Sequence, residues 1–208
     1  PAYPRTAARP PPILLFFWER PGRGGRPYRG EPWEGPPTAG LWPACSRPIF
    51  HGHTGVVGSH QVGLLGIGIS RDGENLESKQ LWKNIEAQPN ISHGVQVNGH
   101  YFGIGDPAKL VCVDISTGKA RWSDDSLFFP DPKRAMATLI VMGQNILALT
   151  SGGELCLFEA SPKGFNELGR TQACGINWCM PAYVDGWLFV RDGIKKKGGN
   201  LICLDLTD

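Results

Sequence analysis

The feature that most constrains this chain is a glycine turn that returns every forty-odd residues. Gly99, Gly143 and Gly186 lie 44 and 43 residues apart, and each sits between two apolar runs. Val95-Gln-Val-Asn-Gly99 turns into His100-Tyr-Phe-Gly-Ile104, and Leu110-Val-Cys-Val-Asp114 follows. Leu139-Ile-Val-Met-Gly143 leads to Ile146-Leu-Ala-Leu-Thr150 and Leu155-Cys-Leu-Phe-Glu159. Ala182-Tyr-Val-Asp-Gly186 leads to Trp187-Leu-Phe-Val-Arg191 and Leu201-Ile-Cys-Leu-Asp205. The closing acids Asp114, Glu159 and Asp205 repeat at 45 and 46 residues. A period of this size marks one supersecondary unit that cannot bury its apolar face alone and must stack on its neighbours.

Each unit reads as an antiparallel meander. Asn98-Gly99 and Asp185-Gly186 are the dipeptides that two-residue hairpins require, because both central residues take positive φ. Thr117-Gly118 turns into a fourth strand, Lys119-Ala-Arg-Trp122. Upstream, Val62–Ser70 runs to a hairpin at Asp72-Gly73, and its return strand Leu76–Trp82 also ends in Trp. With 28 Gly, 18 Pro and 19% charged residues, short strands and tight turns are favoured over long helices. Four-stranded units of this length are the size of a propeller blade. The expectation is an all-β partial β-propeller of about three to four blades: two whole, with one partial blade before and one after. Such a set is an open arc of a larger ring.

Composition divides the chain. Residues 1–50 carry 12 of the 18 prolines, seven arginines and no lysine; residues 51–208 carry all nine lysines. A stretch so rich in Pro, Gly and Arg buries too little apolar surface to offset its ordering entropy. Residues 1–54 are therefore expected to be a leader, either disordered or non-native, and residues 55–208 the propeller segment. Within the leader, Ile13–Trp18 has strand character and is a candidate for the strand that closes the last blade. The chain opens on Pro rather than Met, which suggests a missing N-terminus.

At Asp114-Ile-Ser-Thr-Gly-Lys-Ala-Arg-Trp122 the chain resembles the pyrroloquinoline-quinone (PQQ) type propeller repeat. The resemblance covers roughly residues 60–208. It rests on Asp114, Thr117, Gly118 and Trp122 in one blade, Trp82 in the preceding one and Asp205 in the last. Residues 158–170, with Trp178 and Pro181, are also similar to uncharacterised bacterial PQQ-like repeat proteins. The resemblance implies that the Trp docks between adjacent blades, that Thr and Asp hold the turn, and that seven or eight blades complete a ring. It also implies export to the periplasm or cell surface. One blade departs, with Glu159, Ser161-Pro-Lys-Gly164 and no Trp, so its docking is expected to use other side chains.

The resemblance raises PQQ and calcium as cofactors of a quinoprotein alcohol or sugar dehydrogenase. That chemistry needs acidic and amide ligands, a cation for the quinone and often adjacent cysteines, and no Cys-Cys pair occurs. The favoured reading is therefore a non-catalytic binding or scaffold module with no catalytic, cofactor or metal residues, and a quinoprotein fragment is the alternative. The partner is unknown, and remaining blades or another chain would complete the ring. A net charge of +2 is too small to argue for nucleic acid, and no 18-residue apolar window spans a bilayer.

Cys112 and Cys203 fall at the same place in two repeats and are expected to be small buried hydrophobes. Cys174 and Cys179 share a loop in which a disulfide depends on export. His51-x-His53 is read as a solvated loop, and Lys195–Lys197 as an exposed turn. Gly66-x-Gly68 and Gly103-x-Gly105 lack the helix of a nucleotide site. Trp178 with Arg191 is the one aromatic and cation combination singled out for ligand contact.

Overall fold

The computed structural model describes residues 47–59, 62–72, 75–89, 92–105, 108–128, 136–193 and 199–207. All lie within Thr38–Asp208, the second of two units into which the chain divides. Ile13–Trp18, Cys45 and Lys195–Lys197 fall outside the described residues.

Four antiparallel sheets follow one another along the chain, each a simple meander. Sheet 1 holds β1 (Ile49–His51), β2 (Thr54–Ser59), β3 (Gly63–Asp72) and β4 (Asn75–Asn84). Sheet 2 holds β5 (Val95–Val97), β6 (His100–Gly105), β7 (Lys109–Asp114) and β8 (Ala120–Asp124). A short 3-10 turn, Ser126–Phe128, leads toward sheet 3: β9 (Ala137–Met142), β10 (Asn145–Thr150), β11 (Glu154–Glu159) and β12 (Glu167–Gln172). Sheet 4 has three strands, β13 (Ala182–Val184), β14 (Trp187–Arg191) and β15 (Leu201–Asp205). The hairpin corners take the backbone their residues permit. Asn98 and Gly99 lie at φ 48° and 77°, and Asp185 and Gly186 at 48° and 86°.

The apolar residues form three cores, each between consecutive sheets. Val56 and Leu64 of sheet 1 meet Tyr101, Val111, Val113 and Ile115 of sheet 2. Phe102, Ile104, Leu110 and Cys112 on the other face of sheet 2 meet Ile146, Ala148, Cys156 and Phe158 of sheet 3. Leu147, Leu149 and Leu155 then meet Leu188 and Val190 of sheet 4. The two middle sheets are apolar on both faces, so their central strands are near-continuous hydrophobic runs. Strand alternation distributes those runs between two neighbours. The first strands also run side by side, β1 against β5 and β5 against β9. Sheets stacked face to face around their first strands make a partial β-propeller, and the arc is not closed.

Two expectations, the start of the first sheet and the burial of Cys203, need correction. The first sheet begins at Ile49, ahead of the boundary set at residue 55, so it has all four strands and three sheets are complete. Its inner strand is only three residues long and adjoins the Pro-rich stretch, where composition hid it. His51, Gly52 and His53 are all exposed, as expected of a solvated segment; His51 ends β1 and its ring hydrogen-bonds the Gln96 amide, Nδ1 to Nε2 3.2 Å. Cys112 is buried as expected, but Cys203 is exposed. Sheet 3 lies over Cys112, and none of the other described sheets lies over Cys203.

Candidate functional site

The fourth strands carry the repeat's most specific feature. In sheets 1, 2 and 3 the pairing of the third and fourth strands slips by one residue at the same place. Leu81, Arg121 and Leu168 are the extra residues, and just beyond each lies Trp82 opposite Gly66, Trp122 opposite Cys112, or Gly169 opposite Leu157. A bulge of this kind bends the strand and re-aims the next side chain. Here it turns the indole toward the next sheet.

Trp82 Nε1 donates to the Ile115 carbonyl at 2.8 Å, across the joint between sheets 1 and 2. The ring lies between two glycines: a Cβ at Gly66 in its own sheet or at Gly118 in the next would overlap it. Gly118 thus serves twice, with φ +72° for the turn and bare backbone for the neighbouring indole. Two residues on, buried Asn84 donates from Nδ2 to the Gly118 carbonyl at 2.7 Å. Its Oδ1 accepts from the Glu86 and Ala87 amides at 2.8 and 2.9 Å. One side chain therefore holds the outgoing linker against the next sheet's turn.

Trp122 repeats the arrangement at the following joint. Its Nε1 donates to the Ser161 carbonyl at 2.9 Å, and its ring packs on Phe102 and Phe165 with centroids 6.1 and 6.5 Å away. Asp124 stands two residues beyond it, as Asn84 does beyond Trp82, and accepts from the Ser126 amide and hydroxyl.

At the joint between sheets 3 and 4 the Trp position is Gly169, which has open space where a Cβ would be. Other groups replace the indole. Asn177 Nδ2 donates to the Thr150 carbonyl at 3.1 Å and its amide to Ser151 at 3.0 Å. Gly193 N donates to the Ile176 carbonyl at 2.8 Å. Arg170, beside Gly169, reaches back instead: its guanidinium donates to the Leu127 carbonyl at 3.0 Å while paired with Glu167 at 2.8 Å. Asn84, Arg170 and Asn177 were missed in the sequence. A polar residue two places after Trp, as in Trp82-x-Asn84 and Trp122-x-Asp124, was the available signal.

The turn acids act locally. Asp114 Oδ1 accepts from the Ser116 hydroxyl and amide at 2.6 and 2.9 Å and from the Thr117 amide at 3.2 Å. The Ser116 hydroxyl, ahead of the two amides, holds this carboxyl below its ordinary range. Asp205 repeats the motif, accepting from the Thr207 hydroxyl and amide at 2.7 and 3.0 Å. Thr117 Oγ1 accepts from the Lys119 amide at 3.3 Å.

Trp178 is 64% exposed, and Ile176 and Met180 beside it are also exposed. Arg191 turns to the cysteine next to Trp178, with Nη1 3.6 Å from Cys179 Sγ. Cys174 and Cys179 are both free thiols. Burial pushes the Cys112 and Cys156 thiols up to about 12, which leaves them inert. In dilute native protein a maleimide is expected to modify Cys203 and Cys179, leaving Cys112 and Cys156 unmodified until unfolding. Peptide mass mapping reads the order, and prompt labelling of Cys112 would contradict the packed second core.

A quinone with calcium needs several acids and amides facing one opening. Among the described residues no three His, Cys, Asp or Glu side chains gather in a metal-binding group. Asp114, Asp124, Asp192 and Asp205 each hold the backbone of their own turn or loop.

No family model matches this chain, and no curated protein matches it. Solved structures do. BamB from Moraxella catarrhalis superposes with a TM-score of 0.55 at 14% identity, over 78% of this chain and 47% of that one. Apo AztD from Citrobacter koseri gives 0.51 at 18%, over 77% and 44%. Quinohemoprotein alcohol dehydrogenase ADHIIG from Pseudomonas putida HK5 gives 0.50 at 14%, over 70% and 28%. The chain thus spans less than half the length of each. At these identities the likeness establishes the fold: a segment of a β-propeller of the kind seen in BamB and the quinoprotein dehydrogenases.

Proposed function

We propose that this chain is a non-catalytic PQQ-like propeller segment, a rigid framework that presents its loops to a partner. One observation carries the reading: the recurrent polar side chains join adjacent sheets or close turns. Trp82, Asn84, Trp122 and Asn177 bridge sheets or their linkers, and Asp114 and Asp205 bind their own turns. A fold shared by a dehydrogenase and by BamB does not choose a chemistry, so the site must. The partner-facing surface in this reading is the loop carrying Ile176, Trp178 and Met180, with Arg191 beside it. Residence in the periplasm or outside the cell belongs to the same proposal. Among the described residues no helix is long and apolar enough to cross a membrane.

The test is direct. Adding PQQ and calcium to the purified protein is expected to leave its unfolding temperature unchanged and to produce no dye-linked oxidation of alcohols or sugars. A ligand that binds only the native state stabilises it by RT ln(1 + c/Kd) at free concentration c, and so raises the unfolding temperature as c exceeds Kd. A rise accompanied by quinone absorbance on the protein would replace this reading with a quinoprotein fragment.

A further inference from the structure

The bulge that aims each indole also marks how much strand precedes it. In β8 and β12 a single residue, Ala120 or Glu167, comes before the extra one. In β4 the whole run of residues 75–80 comes first, paired in regular register with residues 67–72. β4 accordingly has 10 residues where β8 has 5 and β12 has 6. β2 does not follow this extension. Its pairing with β3 ends at Thr54 opposite Gly68, and the Ile69 amide adds one bond beyond, to the His53 carbonyl at 2.8 Å. Residues 69–72 and 75–78 project past the sheet as a two-stranded arm. Glu77, Ser78, Lys79 and Gln80 are all exposed, so side chains on both faces of the strand meet solvent. A two-stranded hairpin by itself is marginally stable in water, and further strands are what make such a ribbon hold.

The turn fixes which backbone groups of β4 are turned outward. A two-residue loop is closed by a hydrogen-bonded pair, here Asp72 with Asn75, and bonded and non-bonded pairs alternate from there. Glu77 and Lys79 direct their backbone groups to Ser70 and Gly68, whereas Leu76, Ser78 and Gln80 direct theirs away from β3. β4 is the last strand of its sheet, so these groups form an open edge among the described residues. Sheets 2 and 3 also end on a fourth strand, so an outer edge belongs to every blade, whatever the number of blades in the ring. Only in sheet 1 does a long straight stretch occupy it among the described residues.

An edge of this length is a template for another strand, and its charges select which one. When β4 meets β4 of a second copy antiparallel, two-fold symmetry sets one residue opposite itself. Centring on Glu77 or on Lys79 opposes like charges. Centring on Leu76 runs off the end of the strand at Asn75, and centring on Gln80 runs into the bulge at Leu81. Centring on Ser78 sets Glu77 opposite Lys79 twice, in the non-bonded pairs where side chains stand closest. It also leaves Leu76, Ser78 and Gln80 as the hydrogen-bonded pairs, matching the groups that point outward. We propose that β4 pairs with β4 of a second copy of this chain about Ser78, so that the two arms form one four-stranded ribbon. The proposal goes beyond the scaffold reading, and its outcome, read as mass and amide protection, is independent of the PQQ test.

Sedimentation equilibrium of the 208-residue chain is expected to show a mass that rises with concentration toward twice 22.7 kDa. Ser78→Pro removes an outward N–H and leaves the bonds to β3 in place, since Pro is tolerated on an edge strand whose N–H faces solvent. It is expected to weaken association by about tenfold or more. Lys79→Glu opposes like charges in both symmetric pairs and is expected to weaken association by about tenfold. Adding Glu77→Lys to it restores opposite charges and is expected to return association to within about threefold of wild type. In wild-type protein, hydrogen exchange at the Ser78 and Gln80 amides slows as concentration rises, while the Glu77 and Lys79 amides stay protected at every dilution. That readout needs no variant. A single-chain mass at all concentrations overturns the proposal: free exchange at Ser78 and Gln80 would then show an unpaired edge, and protection there would assign the edge to another part of the chain. A dimer unmoved by Ser78→Pro, or one that the doubly charge-reversed variant fails to restore, also overturns it and places the contact elsewhere.

Discussion

Trp122→Ala is expected to lower the stability of the propeller segment by about 2–4 kcal/mol, read as a lower denaturant midpoint. Replacing a buried Trp by Ala costs about 3–5 kcal/mol, and the partial exposure of Trp122 trims that figure. The indole contributes through three routes. Its bulk fills the second core, where Phe102 and Phe165 pack against it. Tilted ring pairs of this kind add about 0.5–1.5 kcal/mol beyond the area they bury. Its N–H reaches the Ser161 carbonyl across the joint. Trp122→Phe separates these routes: it keeps an aromatic ring and loses the bond, for a cost of about 1 kcal/mol from the bond itself plus a smaller packing loss. An alanine variant within about 0.5 kcal/mol of wild type, the range of ordinary surface substitutions, would show that the ring packing holds nothing together.

The turns and tryptophans that fix this joint were readable because each depends on a local rule. Asn98-Gly99 and Asp185-Gly186 declare hairpins through positive φ, and the recurring acids and indoles set the period. What stayed hidden depends on neighbours. Cys112 and Cys203 are equivalent in sequence, yet one is buried and the other exposed, because burial belongs to the sheet stacked on top. Asn84 and Asn177 look like ordinary loop residues until the next turn is brought to within hydrogen-bonding distance. β1 is too short to have a period, and only its pairing with β2, His51 opposite Thr54, makes it a strand. The departure at Glu159 was visible as a missing Trp. That Gly169 holds the vacated place became visible only through the bulge register. The candidate site was thus legible as a set of residue types and not as a set of contacts.

The strongest test of a contact between sheets is one whose size depends on its partner. Gly118→Ala is expected to cost about 2–4 kcal/mol from two separate sources. Alanine at φ +72° costs roughly 1–2 kcal/mol in any context, since its Cβ crowds the carbonyl oxygen. The remainder comes from overlap between that Cβ and the Trp82 ring. Trp82→Ala removes the overlap together with the ring and its bond to the Ile115 carbonyl. In that background Gly118→Ala should cost only the backbone share, about 1–2 kcal/mol. The double variant is then more stable than the sum of the two losses implies, by about 1–2 kcal/mol. Residues in direct contact show interaction energies of about this size, whereas distant ones add to within about 0.3–0.5 kcal/mol. Strict additivity would place the indole away from the glycine and remove the reason for reading the Thr117-Gly118 turn and the preceding sheet's Trp as a single device. A penalty that persists at full size without the ring would leave backbone strain alone as the reason for glycine. Chemical denaturation of the four proteins, with matched slopes, decides among these outcomes.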